Sequence, residues 1–393
     1  MVQSEAKIRR YQEGDAEKIL RFLKGIFGGW QSLRQWNWKF MEVEEAQKRK
    51  TTIWVVEDHG RIVGHLAAVP MNLRMGSKVF PVCQLVDGGL DLNYRHRGIY
   101  SRIVQQVLSD AKEHGSALAF GFANRPSYRI YAMQGSLHKL FEIAQMFKVV
   151  GVRNILLTAK ARLVHRDLYD SSGGAEFMDF LLTLRGRAIS AFFEFFRNIS
   201  ASLVLGALGS KIDGISLEFR AIEAAELSEQ AGKLWTKLSS VFRFAFERDN
   251  NYLSWRYRKP EARYQVYVAE KAGEVVGYFV ILCEEKSVNM GRLCIRGVKT
   301  GYILDLVCEP HLVTTLISAA EAELEKQHVS VIYCWTTLDS AVFAELRRSH
   351  YYPLPSELYK IIMVASVNAR DLETIFSVDP KDILISLGDS DLA

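Results

Sequence analysis

The stretch Leu90–Leu108, LDLNYRHRGIYSRIVQQVL, opens with strand-like alternation and closes with apolar residues at helical spacing. Between the two patterns lies a basic turn, Arg95-His96-Arg97-Gly98. A helix that starts directly after a strand presents backbone N–H groups and the positive end of its dipole. Phosphate binds well there. Gly98 lets the backbone approach an anion closely, and Arg95, His96 and Arg97 add positive charge. The junction therefore reads as a seat for an anionic ligand.

Outward from this turn, the flanking segments alternate between strand and helix. Ile19, Leu20, Phe22, Leu23 and Ile26 predict a helix after Gly14-Asp15, closed by Gly28-Gly29. TTIWVVED and RIVGHLAAVP form a hairpin about His59-Gly60, and NLRMGSKVFPV turns at Gly76-Ser77. After the basic turn and its helix, SALAFGFAN reads as a buried strand and SYRIYAMQG as a short helix ending in glycine. The same order returns later. YQVYVAEKAGEVVGYFVIL matches the first hairpin, with Gly277 where Gly64 falls. YLSWRYRKP echoes LRQWNWKF, YILDLVCEP echoes LVDGGLDLN, and VSVIYCWT echoes ALAFGFAN. The period is about 210 residues, as an internal duplication would give; chance similarity of two hairpins is the plain alternative. The fold class is α+β.

The chain has 393 residues, more than one hydrophobic core usually supports, so two domains are expected. Its net charge of +5 suits a small anion or a membrane surface and is too weak to argue for nucleic acid. Five cysteines without a CxxC pair suggest reduced thiols in a cytoplasmic setting, with no zinc cluster. The first residues lack the apolar core of a signal peptide. No apolar run reaches the roughly 18 to 20 residues of a membrane span. There is no metal-ligand spacing, no Gly-x-Ser-x-Gly elbow and no Walker loop.

YRHRGIYSRIVQQVL resembles the acyl-CoA signature of the GNAT superfamily of N-acyltransferases, Arg/Gln-x-x-Gly-x-Gly/Ala, with Tyr100 at the final position. The resemblance runs from Ile8 to about Gly135. It implies two tandem GNAT-like domains, each a mixed, mostly antiparallel sheet with flanking helices and a splayed central strand pair. The corresponding boundaries are 1–155 for a domain with the acyl-CoA site and 156–214 for a helical insert. A degenerate domain at 215–365 and a C-terminal tail at 366–393 complete the chain.

The resemblance further implies that the amides of Arg95, His96, Arg97, Gly98, Ile99 and Tyr100 grip the pyrophosphate of coenzyme A. The backbone of Leu90, Asp91 and Leu92 would bond the pantetheine arm. A second family element, Asn…Tyr-x-x-x-Gly-Phe, corresponds to Asn124…Tyr131-Ala-Met-Gln-Gly135-Ser136, with Ser in place of Phe. It makes Tyr131 the candidate general acid for the departing thiolate, with Tyr128 as rival. Period two puts Asp87, Gly89 and Asp91 on one strand face, and Asp87 is the candidate base or amine-binding residue. Asp305 holds the matching place in the second copy, which favours a structural role for this aspartate. That copy lacks an Arg-x-x-Gly, offers Glu309-Pro310 and only His311 as a basic group, and reads as silent.

The aromatic stretch GGWQSLRQWNWKF, with Trp30, Trp36, Trp38 and Phe40, lies where an acceptor pocket would form; its echo favours core packing. The phenylalanine-rich segment 177–208 either packs between the domains or touches a membrane. Three functions follow. The first is transfer of an acyl group, acetyl in the simplest case, from acyl-CoA to a primary amine of a small molecule such as an amino sugar or amino acid derivative. The second is long-chain N-acylation of a lipid amine by a ceramide synthase-like enzyme peripheral to the membrane. The third is a non-catalytic acyl-CoA-binding module.

Overall fold

The computed structural model describes residues 6–28, 31–134, 137–151, 217–290, 293–354, 361–366, 375 and 377–390. Trp30, Gly135, Ser136 and the whole of 177–208 lie outside the described residues.

The first half runs β1 (Lys7–Arg10), α1 (Asp15–Phe27), α2 (Leu33–Asn37), a π-helical turn (Trp38–Glu42) and α3 (Val43–Gln47). It continues through β2 (Thr52–Asp58), β3 (Arg61–Met75), β4 (Lys78–Leu90), a 3-10 turn (Leu92–Tyr94) and α4 (Ile99–Glu113). Then come β5 (Leu118–Asn124), α5 (Arg125–Gln134) and β6 (His138–Val149). The local reasons are plain. Ile19 and Leu23 give α1 its buried stripe, and Asp15 at its first turn is gripped by Arg9 at 2.6 and 3.0 Å. His59 and Gly60 both have positive φ, 46° and 75°, which a two-residue hairpin matched to strand twist requires.

The second half repeats the order with one strand, Phe244–Phe246, added between its first two helices. It contains β7 (Glu218–Ile222), α6 (Ala224–Leu238), β8 (Phe244–Phe246), α7 (Asn250–Arg256), β9 (Gln265–Lys271) and β10 (Glu274–Met290). After these come β11 (Leu293–Cys308), a 3-10 turn (Pro310–Leu312), α8 (Val313–Lys326), β12 (Val331–Thr337), α9 (Ala341–Arg348) and β13 (Tyr352–Pro353). Its hairpin turns at Ala272-Gly273, again with both φ positive, 51° and 80°. In both halves three consecutive antiparallel pairings lead to one parallel pair, β4 with β5 and β11 with β12.

The two halves share one continuous sheet, with β14 (Ile361–Ala365) inserted in its middle, ordered β1-β2-β3-β4-β5-β14-β6-β12-β11-β10-β9-β7. Strand β14 lies between β5 and β6, antiparallel to both. On its far side β6 pairs with β12, Phe147 opposite Tyr333. A strand late in the chain thus covers the edge that β5 would otherwise expose. Strand β15 (Ile383–Leu384) pairs with β8, which in turn pairs with β3. Residues 383–390, within the span expected as a tail, are all buried.

One sheet face carries a single core common to both halves, with Ile19, Trp36 and Phe40 packed in the same cluster as Leu227, Trp235 and Trp255. The other face carries two separate cores, one under α4 and α5 and one under α8 and α9. Trp36, Trp38 and Phe40 are core residues. No helix among the described residues is long and apolar enough to cross a membrane.

Candidate active site

Strands β4 and β5 pair only over Val82–Gln84 and Leu118–Phe120. Beyond that, β5 turns to β14, and among the described residues β4 has no strand on that side from Leu85 to Leu90. The sheet therefore opens into a cleft between α4 and α5. On its other side β4 slips register against β3 between His65 and Ala67, opposite Val86 and Gly89. Asp87, at φ 54°, is the left-handed residue of this bulge. Gly88 serves it, because a side chain there would meet the Tyr100 hydroxyl, whereas a Cβ at Gly89 has ordinary room.

The bulge sends neighbouring residues to opposite faces. A Cβ on Gly88 would collide with the Tyr100 hydroxyl and sit 3.1 Å from Leu66 Cδ1, on the α4 face. A Cβ on Gly89 would meet Phe22 at 3.6 Å and Ile26 at 3.7 Å, on the α1 face. Asp87 points the same way as Gly89, into the shared core. Its Oδ1 accepts from Lys39 Nζ at 2.8 Å, and both side chains are buried. His65, fully buried, donates from Nδ1 to the Asp87 carbonyl at 2.9 Å and packs against Trp36 and Phe40. Burial pushes the His65 imidazole down to about 4, so the ring is neutral.

On the α4 face, Tyr100 from the first turn of α4 and Tyr131 from α5 meet across the cleft, hydroxyl to hydroxyl at 3.4 Å. Tyr131 is buried among Leu66, Leu85, Leu90 and Ile99. Burial, and then the neighbouring Tyr131, hold the Tyr100 phenol well above its ordinary range. Tyr128 packs at the margin of the same cluster.

Arg95, His96, Arg97 and Gly98 are all exposed at the mouth of the cleft. His96 and Gly98 take left-handed φ values of 62° and 70°, and open space surrounds the position of a Gly98 Cβ. The first helical bond of α4 runs from the Arg102 amide to the Gly98 carbonyl, so the N–H groups ahead of it face the turn. Arg97 lies over the Tyr94 ring at 5.6 Å, and the Tyr94 hydroxyl donates to Asp58.

Other expected contacts have internal partners. The Leu90 carbonyl accepts from Arg95 Nε at 3.2 Å, and the Asp91 amide donates to the Val63 carbonyl at 2.8 Å. Asp91 Oδ1 accepts from the Asn93 amide, capping the 3-10 turn, and Leu92 is 70% exposed. Asn124 Oδ1 accepts from the Ser127 amide at 3.1 Å and so caps α5. Lys39, His65 and the Tyr100 hydroxyl were not legible as site residues. The one sequence signal was the Gly88-Gly89 pair inside a strand, which marks a bulge or a close approach.

The second half differs where the chemistry would be. Its 3-10 turn ends at Leu312 and α8 begins at Val313, so the four residues corresponding to Arg95–Gly98 are missing. Asp305 accepts from Arg248 in a two-pronged contact at 3.1–3.3 Å and from the hydroxyls of Tyr257 and Tyr278, both at 3.0 Å. Tyr278 follows Gly277 as His65 follows Gly64. Arg248 also donates to Asp389 at 3.0 Å and Ser386 at 3.1 Å. Arg248, Tyr257 and Tyr278, the donors on this aspartate, are all buried, a structural arrangement.

Residues 7–135 match the family model described as an acetyltransferase (GNAT) domain. No curated protein sequence matches the chain at a significant level. Among solved structures, a probable N-acyltransferase from Enterococcus faecalis V583 is similar at 10% identity and a TM-score of 0.56, over 94% of this chain and 74% of that one. A GCN5-related N-acetyltransferase from Anabaena variabilis is similar at 11% identity and a TM-score of 0.58, over 93% and 73%. N-myristoyltransferase from Saccharomyces cerevisiae, with bound myristoyl-CoA, is similar at 10% identity and a TM-score of 0.58, over 93% and 83%. At these identities the likeness is one of fold, and it extends over both halves.

Proposed function

We propose, on the premise that residues 7–135 are a GNAT acetyltransferase domain, that this chain transfers an acyl group from acyl-CoA to the primary amine of a small molecule. The observation that carries the reading is the basic, exposed α4 turn at the mouth of the β4–β5 opening. Coenzyme A would lie with its pyrophosphate on the amides and side chains of Arg95–Gly98 and its pantetheine arm directed into the cleft. The thioester would then reach the level of Gly88. Tyr131 is the acid: it gives its proton to the thiolate as the tetrahedral intermediate collapses. The amine would approach from the α1 side of the sheet, past Phe22 and Ile26. Asp87 there orients the ammonium and accepts its proton, with Lys39 holding the carboxylate in place. The donor in this reading is acetyl-CoA, and the acceptor is an amino sugar or an amino acid derivative. The tandem reading, one active and one silent half, is supported by the missing four-residue turn and by the enclosure of Asp305.

Calorimetric titration with coenzyme A tests this. One molecule should bind per chain. Arg97→Glu and Gly98→Asp should each weaken binding at least tenfold, since a charged ligand contact is worth about 1.5–3 kcal/mol. Unchanged affinity in both variants, or two molecules bound per chain, removes the assignment. With acetyl-CoA and a panel of amines, Tyr131→Phe should lower turnover about 10²- to 10⁴-fold with little change in acetyl-CoA affinity. A fall below about threefold would pass the role of acid to Tyr128 or to water.

A further inference from the structure

We propose that Tyr100 is the stop of the acyl pocket, restricting the donor to short acyl groups, and that the same hydroxyl positions Tyr131. The inference rests on the reading that the thioester lies beside Tyr131. Tyr100 is the second residue of α4, so its backbone belongs to the anion seat while its ring reaches beneath the sheet. The hydroxyl fills the place of the missing Gly88 side chain, next to Leu66, and stands 3.4 Å from the Tyr131 hydroxyl. The two rings thus close the lane between α4 and α5 at the point where β4 bulges. Leu66, Leu85 and Leu90, 1%, 7% and 6% exposed, belong to the same buried cluster as Tyr131, and Tyr100 packs against it.

A thioester carbon beside the Tyr131 hydroxyl has Tyr100 as its next neighbour. A methyl group beyond the carbonyl fits against the phenol, whereas a longer chain has to displace the ring. The buried phenol stays protonated across the ordinary pH range. It is therefore a neutral donor that can fix the Tyr131 oxygen, and stabilise it after the proton has gone to sulfur.

The test uses thioether analogues, which need no acceptor: S-ethyl-CoA and S-octyl-CoA, titrated calorimetrically into the full chain. The wild type should prefer S-ethyl-CoA. Tyr100→Ala should shift the affinity ratio at least tenfold toward S-octyl-CoA, and Tyr100→Phe should leave the ratio within about threefold, because the ring remains. Tyr100→Leu, which keeps an apolar side chain in the core, makes the same prediction if the alanine variant does not fold. Equal wild-type affinity for the two analogues, or an unchanged ratio in the alanine or leucine variant, overturns the inference. If coenzyme A itself binds while the ratio stays fixed, the acyl-CoA site stands and only the role of Tyr100 falls. If neither analogue nor coenzyme A binds, the site reading fails and takes this inference with it.

Discussion

Trp38 and Trp255 donate their indole N–H groups to each other's backbone carbonyls, both at 2.9 Å, with the rings stacked 5.0 Å apart. One tryptophan comes from each half, and the reciprocal contact has the form of a local two-fold axis. It fastens the π-helical turn that carries Lys39 to the end of α7, so the junction between halves lies one residue from the site.

Replacing either tryptophan with phenylalanine should therefore destabilise the chain, and the two losses should not add. Each single change removes one of the two buried indole hydrogen bonds, worth about 0.5–1.5 kcal/mol. The double variant should lose less than the sum, with a coupling of about 0.5–3 kcal/mol in urea unfolding. Strict additivity would mean that the two contacts act independently.

His65 makes stability depend on acidity. Its folded pKa of about 4 lies below the ordinary 6.5, so the unfolded chain binds a proton that the native chain refuses. Stability from this group is complete above pH 6.5 and is lost as pH falls toward 4, at about 1.4 kcal/mol per pH unit. Denaturant unfolding at pH 7, 6 and 5 should show a slope in the wild type that is one proton steeper than in His65→Phe. Equal slopes would place the charged form of His65 in the folded chain.

Gly88→Ala should be harmful alone and tolerable with Tyr100→Phe. The added methyl group collides with the Tyr100 hydroxyl, while the next neighbours stand at 3.1 and 3.5 Å, within reach of small adjustments. Melting temperature should fall in the single variant and recover in the double. No recovery would show that the obstacle is the strand itself and not the hydroxyl.

Arg248 is the keystone of the second half. Removing it in Arg248→Met strands Asp305 and Asp389 in the core, and burial pushes the Asp389 carboxyl up to about 6 even with the arginine present. The cost should be about 3–5 kcal/mol, with part regained on adding Asp389→Asn. A loss below about 1 kcal/mol in urea unfolding would mean that water reaches the pair.

The amino-acid sequence by itself determined the types and order of the elements around the basic turn and the echo of that order in the second half. Period-two and period-3.6 apolar patterns specify which face each element buries, and His59-Gly60, Ala272-Gly273 and Gly98 specify turns that need positive φ. The basic α4 turn was legible for the same reason, since its charge and backbone freedom are contiguous in the chain. Only the tertiary structure decided which strand stands beside which. Nothing local in Ile361–Ala365 says that it closes the sheet between β5 and β6, because any apolar strand presents the same donors and acceptors. The pairs Lys39–Asp87 and Tyr100–Tyr131 were hidden likewise. Each joins residues 48 and 31 positions apart, from elements whose spacing records a buried face but not the partner on the other side of it.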